Sequence, residues 1–326
     1  GTLCMKAGRQ VFMVKESDQN RELLAKYLTL EEVYKMPQTI PDETMSLILL
    51  GVSYSIIIPL LLFIIFKKRF RAHVKPFFLG LLTYGAFSFC LVNIVNGLLL
   101  MFVDPTNFST PLIFIYSLFT QIISVLIGQA GKYYSLRILK NDANPNKYAM
   151  RGDALVFGAG FGGLEMVLTV GMTMASYFSY ATIMVNGQAE SFMENLSGAD
   201  LESVQNIFNL LATTTSSEYI SLLLQGLAMF LFQLGSTLLV FRAVFGSGVN
   251  EKVYLRLAII FHIIMIVPGC FVSSGIISSP WFQTVLMLVF SVAVLVYGYD
   301  KIKEYEKQHV ADMVNAAKGK KTIHFK

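Results

Sequence analysis

The sequence predicts an all-α fold: a polytopic bundle of about seven transmembrane helices, with the N-terminus outside and the C-terminus cytoplasmic. Three observations predict it. Of the 326 residues, 54% are hydrophobic and 14% charged, where a soluble domain carries about 25% charged residues. Mean hydropathy is +0.58. Seven apolar runs come near or exceed the roughly 20 residues needed to cross a bilayer as a helix. Finally, Lys and Arg gather on alternate connections between those runs, the signature of membrane orientation. This composition excludes a soluble enzyme, a disordered regulator and a disulfide-stapled secreted domain. The net charge of +5 reflects topology rather than nucleic-acid binding.

The chain divides into an extracytoplasmic segment 1–44, a membrane domain 45–299 and a charged cytoplasmic tail 300–326. It opens at Gly1 without a Met and without a signal-like apolar stretch, which reads as a processed or truncated start. Residues 20–36 read as a short amphipathic helix, with Thr29 and Glu32 at capping-box spacing. The spans are expected at 45–66, 76–103, 110–136, 154–185, 217–245, 253–273 and 280–299. The fourth and fifth exceed the bilayer thickness and should tilt or project.

Five basic residues follow the first span (Lys67, Lys68, Arg69, Arg71, Lys75) and five more follow the third (Lys132, Arg137, Lys140, Lys147, Arg151). Arg242, Lys252 and Arg256 lie between the fifth and sixth spans, and the tail holds seven lysines. Connections 104–109, 186–216 and 274–279 contain no Lys or Arg. The basic side is therefore read as cytoplasmic. The acidic loop 186–216 is long enough for a helix around 199–211 and carries a sequon, Asn195-Leu196-Ser197. Cys4, Cys90 and Cys270 cannot form a disulfide framework.

Polar groups inside apolar spans are costly, so they are the informative positions. Glu165 is the only carboxylate deep within a span, about 18 Å along the helix from Asp153 at 1.5 Å per residue. By the same arithmetic His262 lies about 9 Å from Arg256, and Gln233 about 13 Å from Arg242. Gln129 and Lys132 sit at the basic end of the third span, and Gln225 two turns beyond Gln233. Glu165, Gln233, His262 and Gln129 thus reach similar depth from four spans. They either meet in one polar pocket or each bond a neighbouring helix. Gly158-Ala-Gly160-Phe-Gly162-Gly163 contains a literal G-x-G-x-x-G, but without the strand that a dinucleotide site requires. Gly158 and Gly162 instead make a small-xxx-small face for helix packing, and no nucleotide is expected.

These segments resemble the YhfC family of intramembrane metalloproteases, relatives of the CAAX-prenyl-protease-like group. The likeness covers about 46–299 and is carried by FKKRFRAHVKPFFLG, IGQAGKYYSLRIL, FGAGFGGLEMVL, LQGLAMFLFQLGSTLLVFRAV and FHIIMIV. It implies a multi-pass protein of the cell membrane, in a bacterial plasma membrane. In such a family glutamates and histidines bind a metal, the metal polarises the scissile carbonyl, and a carboxylate acts as general base. Here the family's paired glutamates fall on Gly128 and Gln129, its arginine on Lys132, and the histidine of its glycine-rich segment on Phe161. Gln225 and Gln233 stand where it has a glutamate and a histidine, and Ile266 where it has an aspartate. Glu165 and His262 remain as the remnant catalytic pair.

A catalytic metal site normally takes three protein ligands, and amides are weak ligands. The resemblance with these losses therefore implies a pseudoprotease that binds or regulates another membrane protein or peptide and carries no metal. Gln129, Lys132, Phe161, Gln225 and Gln233 would line its site. Two alternatives follow: an active protease holding zinc on Glu165 and His262, with Glu165 as base, or a transporter using Glu165 as a proton-coupling acid.

Overall fold

The computed structural model describes residues 2–7, 10–15, 40–142, 148, 150–246 and 251–323. Among them, seven helices are long and apolar enough to cross a membrane: Glu43–Phe70, Lys75–Phe102, Thr110–Lys140, Arg151–Val185, Ser216–Phe245, Lys252–Ser273 and Pro280–Ala311. The protein is a multi-pass membrane protein built from them. Several helices outrun the apolar segments that announce them, because backbone hydrogen bonding continues past the last apolar residue. Lys67, Lys68 and Arg69 end the first span, and Arg137 and Lys140 the third, where positive charge suits the C-terminal end of a helix dipole. The seventh helix runs unbroken from Pro280 to Ile323, so the tail begins as its continuation.

The chain forms two compact units. One comprises residues 1–42 and 179–214. Its described part contains an antiparallel strand pair, Thr2–Ala7 with Gln10–Lys15, which the all-α expectation did not include. Val11, Phe12 and Val14 are the residue types that favour strands. The amphipathic helix expected at 20–36 lies outside the described residues. Helices Ala189–Met193 and Gly198–Thr213 occupy the acidic loop, where the sequence predicts one around 199–211. Tyr180 meets Phe208 edge-on at 5.8 Å.

The second unit, 43–178 and 215–326, holds the membrane core. The fifth and fourth spans are its centre: 83% and 67% of their apolar windows are buried, against 6–28% for the other five. The outer spans consequently turn Leu, Ile and Phe outward, as at Leu82, Phe89 and Leu98. Lipid offers helices no hydrophobic drive to associate, so close packing has to hold the bundle. Glycine permits it. A Cβ on Gly160 would strike the carbonyl of Phe77, and one on Gly80 the carbonyl of Phe157, so the second and fourth spans cross in backbone contact. A Cβ on Gly235 would lie 2.7 Å from Leu295 Cα, which sets the fifth span against the seventh. Gly158 faces Leu234 and Gly162 faces Gln233, so the small-residue face predicted from the sequence packs on the fifth span.

Two stretches depart from α geometry. Tyr84–Leu91 in the second span and Val167–Gly171 in the fourth are π-helical, a rare form that tends to mark functional sites. At the basic end, Arg242 bonds Glu251 at 3.1 Å and Glu304 at 3.4 Å, and lies 4.2 Å above the Tyr254 ring. Arg151 pairs with Glu306 at 3.4 Å. These contacts fix the root of the long seventh helix. At the other end, Thr215 and Glu218 form a reciprocal capping box on the fifth span. Thr215→Ala is expected to cost about 1 kcal/mol, the usual value of an N-cap. Equilibrium unfolding in mixed micelles checks it.

Candidate functional site

Spacing along each helix decides which side chains can share a face. On the third span Gln129 and Lys132 are three residues apart, as are Gln233 and Ser236 on the fifth. Phe161 and Glu165 are one turn apart on the fourth, and His262 comes from the sixth. The tight crossings made by Gly160 and Gly162 bring these faces together.

Their wiring is continuous. Lys132 Nζ donates to Gln233 Oε1 and, at 3.3 Å, to Ser236 Oγ. Its ammonium also stands 4.4 Å from the centre of the Phe161 ring, a cation–π contact. The Gln129 amide donates to Ser236 Oγ at 2.9 Å and lies 2.9 Å from His262 Nδ1. Phe232 flanks the imidazole at 4.9 Å. Gln129 and Lys132 are wholly buried and Gln233 is 1% exposed, so burial makes each of these bonds costly to lose. Glu165 lies beside Gln233 on the same cavity and within electrostatic range of Lys132.

Beside this network lies a cavity of about 240 Å³. Phe161, Glu165, Gln233 and His262 line its inner part, while Asn96 and Gln121 reach it from the second and third spans. The apolar part of its wall is Val92, Val125, Met229 and Ile266. Among the described residues, two acceptors on this wall, Glu165 Oε2 and Asn96 Oδ1, are buried without a hydrogen-bond partner. A buried acceptor left alone costs about 1–3 kcal/mol, so an occupant carrying donors is favoured.

The structure therefore gathers Glu165, His262, Gln233 and Phe161 on one cavity, with Gln129 and Lys132 bonded directly behind it. Gln225 is placed elsewhere: its amide donates to Thr284 Oγ1 at 3.0 Å and reaches Ser221 and the Pro280 carbonyl, joining the fifth span to the seventh. Ser236 and the lane of Tyr84, Ser88 and Asn96 are additions that sequence reasoning missed. The lane had a signal, since those three residues recur every four or eight positions on one helix.

A metal, implied by the resemblance, needs several anionic or imidazole donors aimed at one point. Among the described residues no three His, Cys, Asp or Glu side chains converge in that way. The nearest approach to such a set is Glu165 and His262, and His262 Nδ1 already faces the Gln129 amide. The residues present do not fit a catalytic metal.

Comparison with known proteins agrees with the architecture. A family model described as "YhfC intramembrane metalloprotease" matches residues 54–287, from within the first span into the seventh. The "Uncharacterized membrane protein YhfC" of Bacillus subtilis (strain 168) is 26% identical over 238 residues, covering 73% of this chain and 88% of the relative. No solved structure matches. With seven spans in place and the family model extending over most of the chain, the protein belongs to the YhfC intramembrane metalloprotease family.

Proposed function

We propose that this YhfC-family protein is a catalytically impaired pseudoprotease that binds or regulates another membrane protein or peptide. The observation that carries the reading is how the site's side chains use their bonds. Gln129 and Gln233, which stand where the family has a glutamate and a histidine, are engaged with His262, Ser236 and Lys132. An amide cannot take a proton from water, so neither glutamine replaces a general base. Among the described residues, Glu165 is the one carboxylate on the cavity wall.

Binding survives these losses. The cavity keeps its polar lane and its two unpartnered acceptors, which suit the N–H groups of a segment whose helix is locally opened. The apolar wall of Val92, Val125, Met229 and Ile266 suits that segment's side chains.

A photo-crosslinking amino acid at Val92 or Gln121, in the full chain expressed in native membranes, tests both halves. The expected result is an adduct with an intact membrane polypeptide, absent when the probe sits at lipid-facing Leu82. Cleavage of the captured polypeptide, abolished by a metal chelator, would refute the impaired-catalyst reading. Equal labelling at Leu82 would refute the binding site.

A further inference from the structure

The nitrogen of a side-chain amide donates hydrogen bonds and cannot accept them, so any group it bonds must accept. On the third span the Gln129 nitrogen meets Ser236 Oγ and His262 Nδ1, each at 2.9 Å. The Gln129 oxygen accepts from Ser236 Oγ at 3.3 Å, and the residue is wholly buried, so the amide is held at both ends. His262 Nδ1 is therefore the bare nitrogen of its ring. A neutral imidazole with a bare Nδ1 carries its proton on Nε2. Among the described residues nothing bonds Nε2, and the ring lines the cavity while Gln129 does not. With Nδ1 turned to Gln129, the Nε2–H is what the ring has left to offer the cavity. Phe232, 4.9 Å from the imidazole between ring centres, limits its rotation.

We infer that His262 is a hydrogen-bond donor to the cavity's occupant, that Gln129 is the positioning residue locking it in this tautomer, and that the group it meets is the carbonyl oxygen of a peptide bond. The inference rests on the proposed function and deepens it by naming the part of the bound segment that the site reads.

The wall of the cavity supplies the argument for a peptide. Glu165 Oε2 and Asn96 Oδ1 are buried acceptors without partners, and each calls for an N–H. The Nε2–H of His262 calls for an acceptor. A peptide group carries one donor and one acceptor, whereas a lipid tail carries neither. Opening a helix inside the bilayer frees these groups, and hydrocarbon leaves them unsatisfied at a cost of several kcal/mol each. Donor and acceptors on one wall receive them together, and they do so whatever the segment's side chains are.

Solid-state nitrogen NMR of the full chain in lipid bilayers, with isotope-labelled histidine rings, reads the tautomer before any partner is present. Signals of His262 are assigned by their loss in His262→Gln. They should show a protonated Nε2 and a bare Nδ1 at neutral pH. In Gln129→Met, where the lock is gone, a protonated Nδ1 should appear. A protonated Nδ1 or an imidazolium in the wild type, or a spectrum unchanged in Gln129→Met, would overturn the inference. The second arm uses the photo-crosslinking amino acid at Val92 in native membranes. His262→Phe keeps a ring but loses the N–H, so adduct yield should fall about threefold to tenfold, the worth of one hydrogen bond. His262→Gln returns an amide N–H near the place of Nε2 and should recover at least half of the yield. Equal yield in His262→Phe, or no recovery in His262→Gln, would also overturn it. No adduct in the wild type would refute the proposed function and with it the peptide as ligand, while the tautomer spectra still decide the role of Gln129.

Discussion

Lys132→Met lowers the stability of the purified protein by about 1–3 kcal/mol, the cost of leaving the buried partners of its ammonium unsatisfied. Methionine keeps most of the side-chain length, so the loss reports charge and hydrogen bonding rather than a cavity. Two bonds disappear with the amine, to Gln233 and Ser236, along with its contact with Phe161. Glu165, whose Oε2 already lacks a partner, also loses the nearby cation. Adding Glu165→Gln removes the negative charge and should return part of the loss. Reversible unfolding in mixed detergent micelles measures both, and a double-mutant cycle isolates the coupling between the two residues. Additive effects would show that Lys132 and Glu165 do not act as a pair.

Gly160→Leu is expected to be as damaging through a different mechanism. The Cβ alone meets the Phe77 carbonyl, a backbone atom that cannot swing aside as a side-chain end can. Either the second span moves outward or the fourth rotates, and both open the cavity between them. The cost should reach at least about 3 kcal/mol, the upper end of overpacking effects. Gly97→Leu is the comparison, because nothing lies within 4 Å of a Cβ there. It should unfold like wild type. Similar losses at both positions would mean that the crossing of the second and fourth spans is not a backbone contact.

The architecture was legible because membrane physics writes it in bulk. Apolar runs mark the spans, and one family's segments recur in order along them. Glu165, Gln233 and His262 stood out because each is expensive in hydrocarbon. The placement of Gln225 was not legible. It sits eight residues from Gln233, about 80° around the helix at 100° per residue, which turns it toward Thr284. Depth alone could not show that rotation. Ser236 went unnoticed because hydroxyls commonly satisfy themselves on their own helix, as Thr83 does on the Leu79 carbonyl. The tilt of Tyr84 and Ser88 toward the cavity depends on the π-helical stretch Tyr84–Leu91, which no residue count foresees. The strand pair near the start carries little signal, because residues 11–14 are apolar at every position and show no period-2 alternation.

The seventh helix has a mechanical consequence. From Pro280 to Ile323 it is 44 residues, about 66 Å at 1.5 Å per residue, and about 30 Å of that is enough to cross the hydrocarbon. The remainder is a stiff boom roughly 36 Å long. Its pivot is where Glu304 and Glu306 grip Arg242 and Arg151, on two of the spans that line the cavity. Leverage then magnifies small events: from that fulcrum to Ile323 is about 27 Å, so a 5° swing displaces the far tip by about 2 Å. A displacement of either span is thereby enlarged at the far end of the seventh helix.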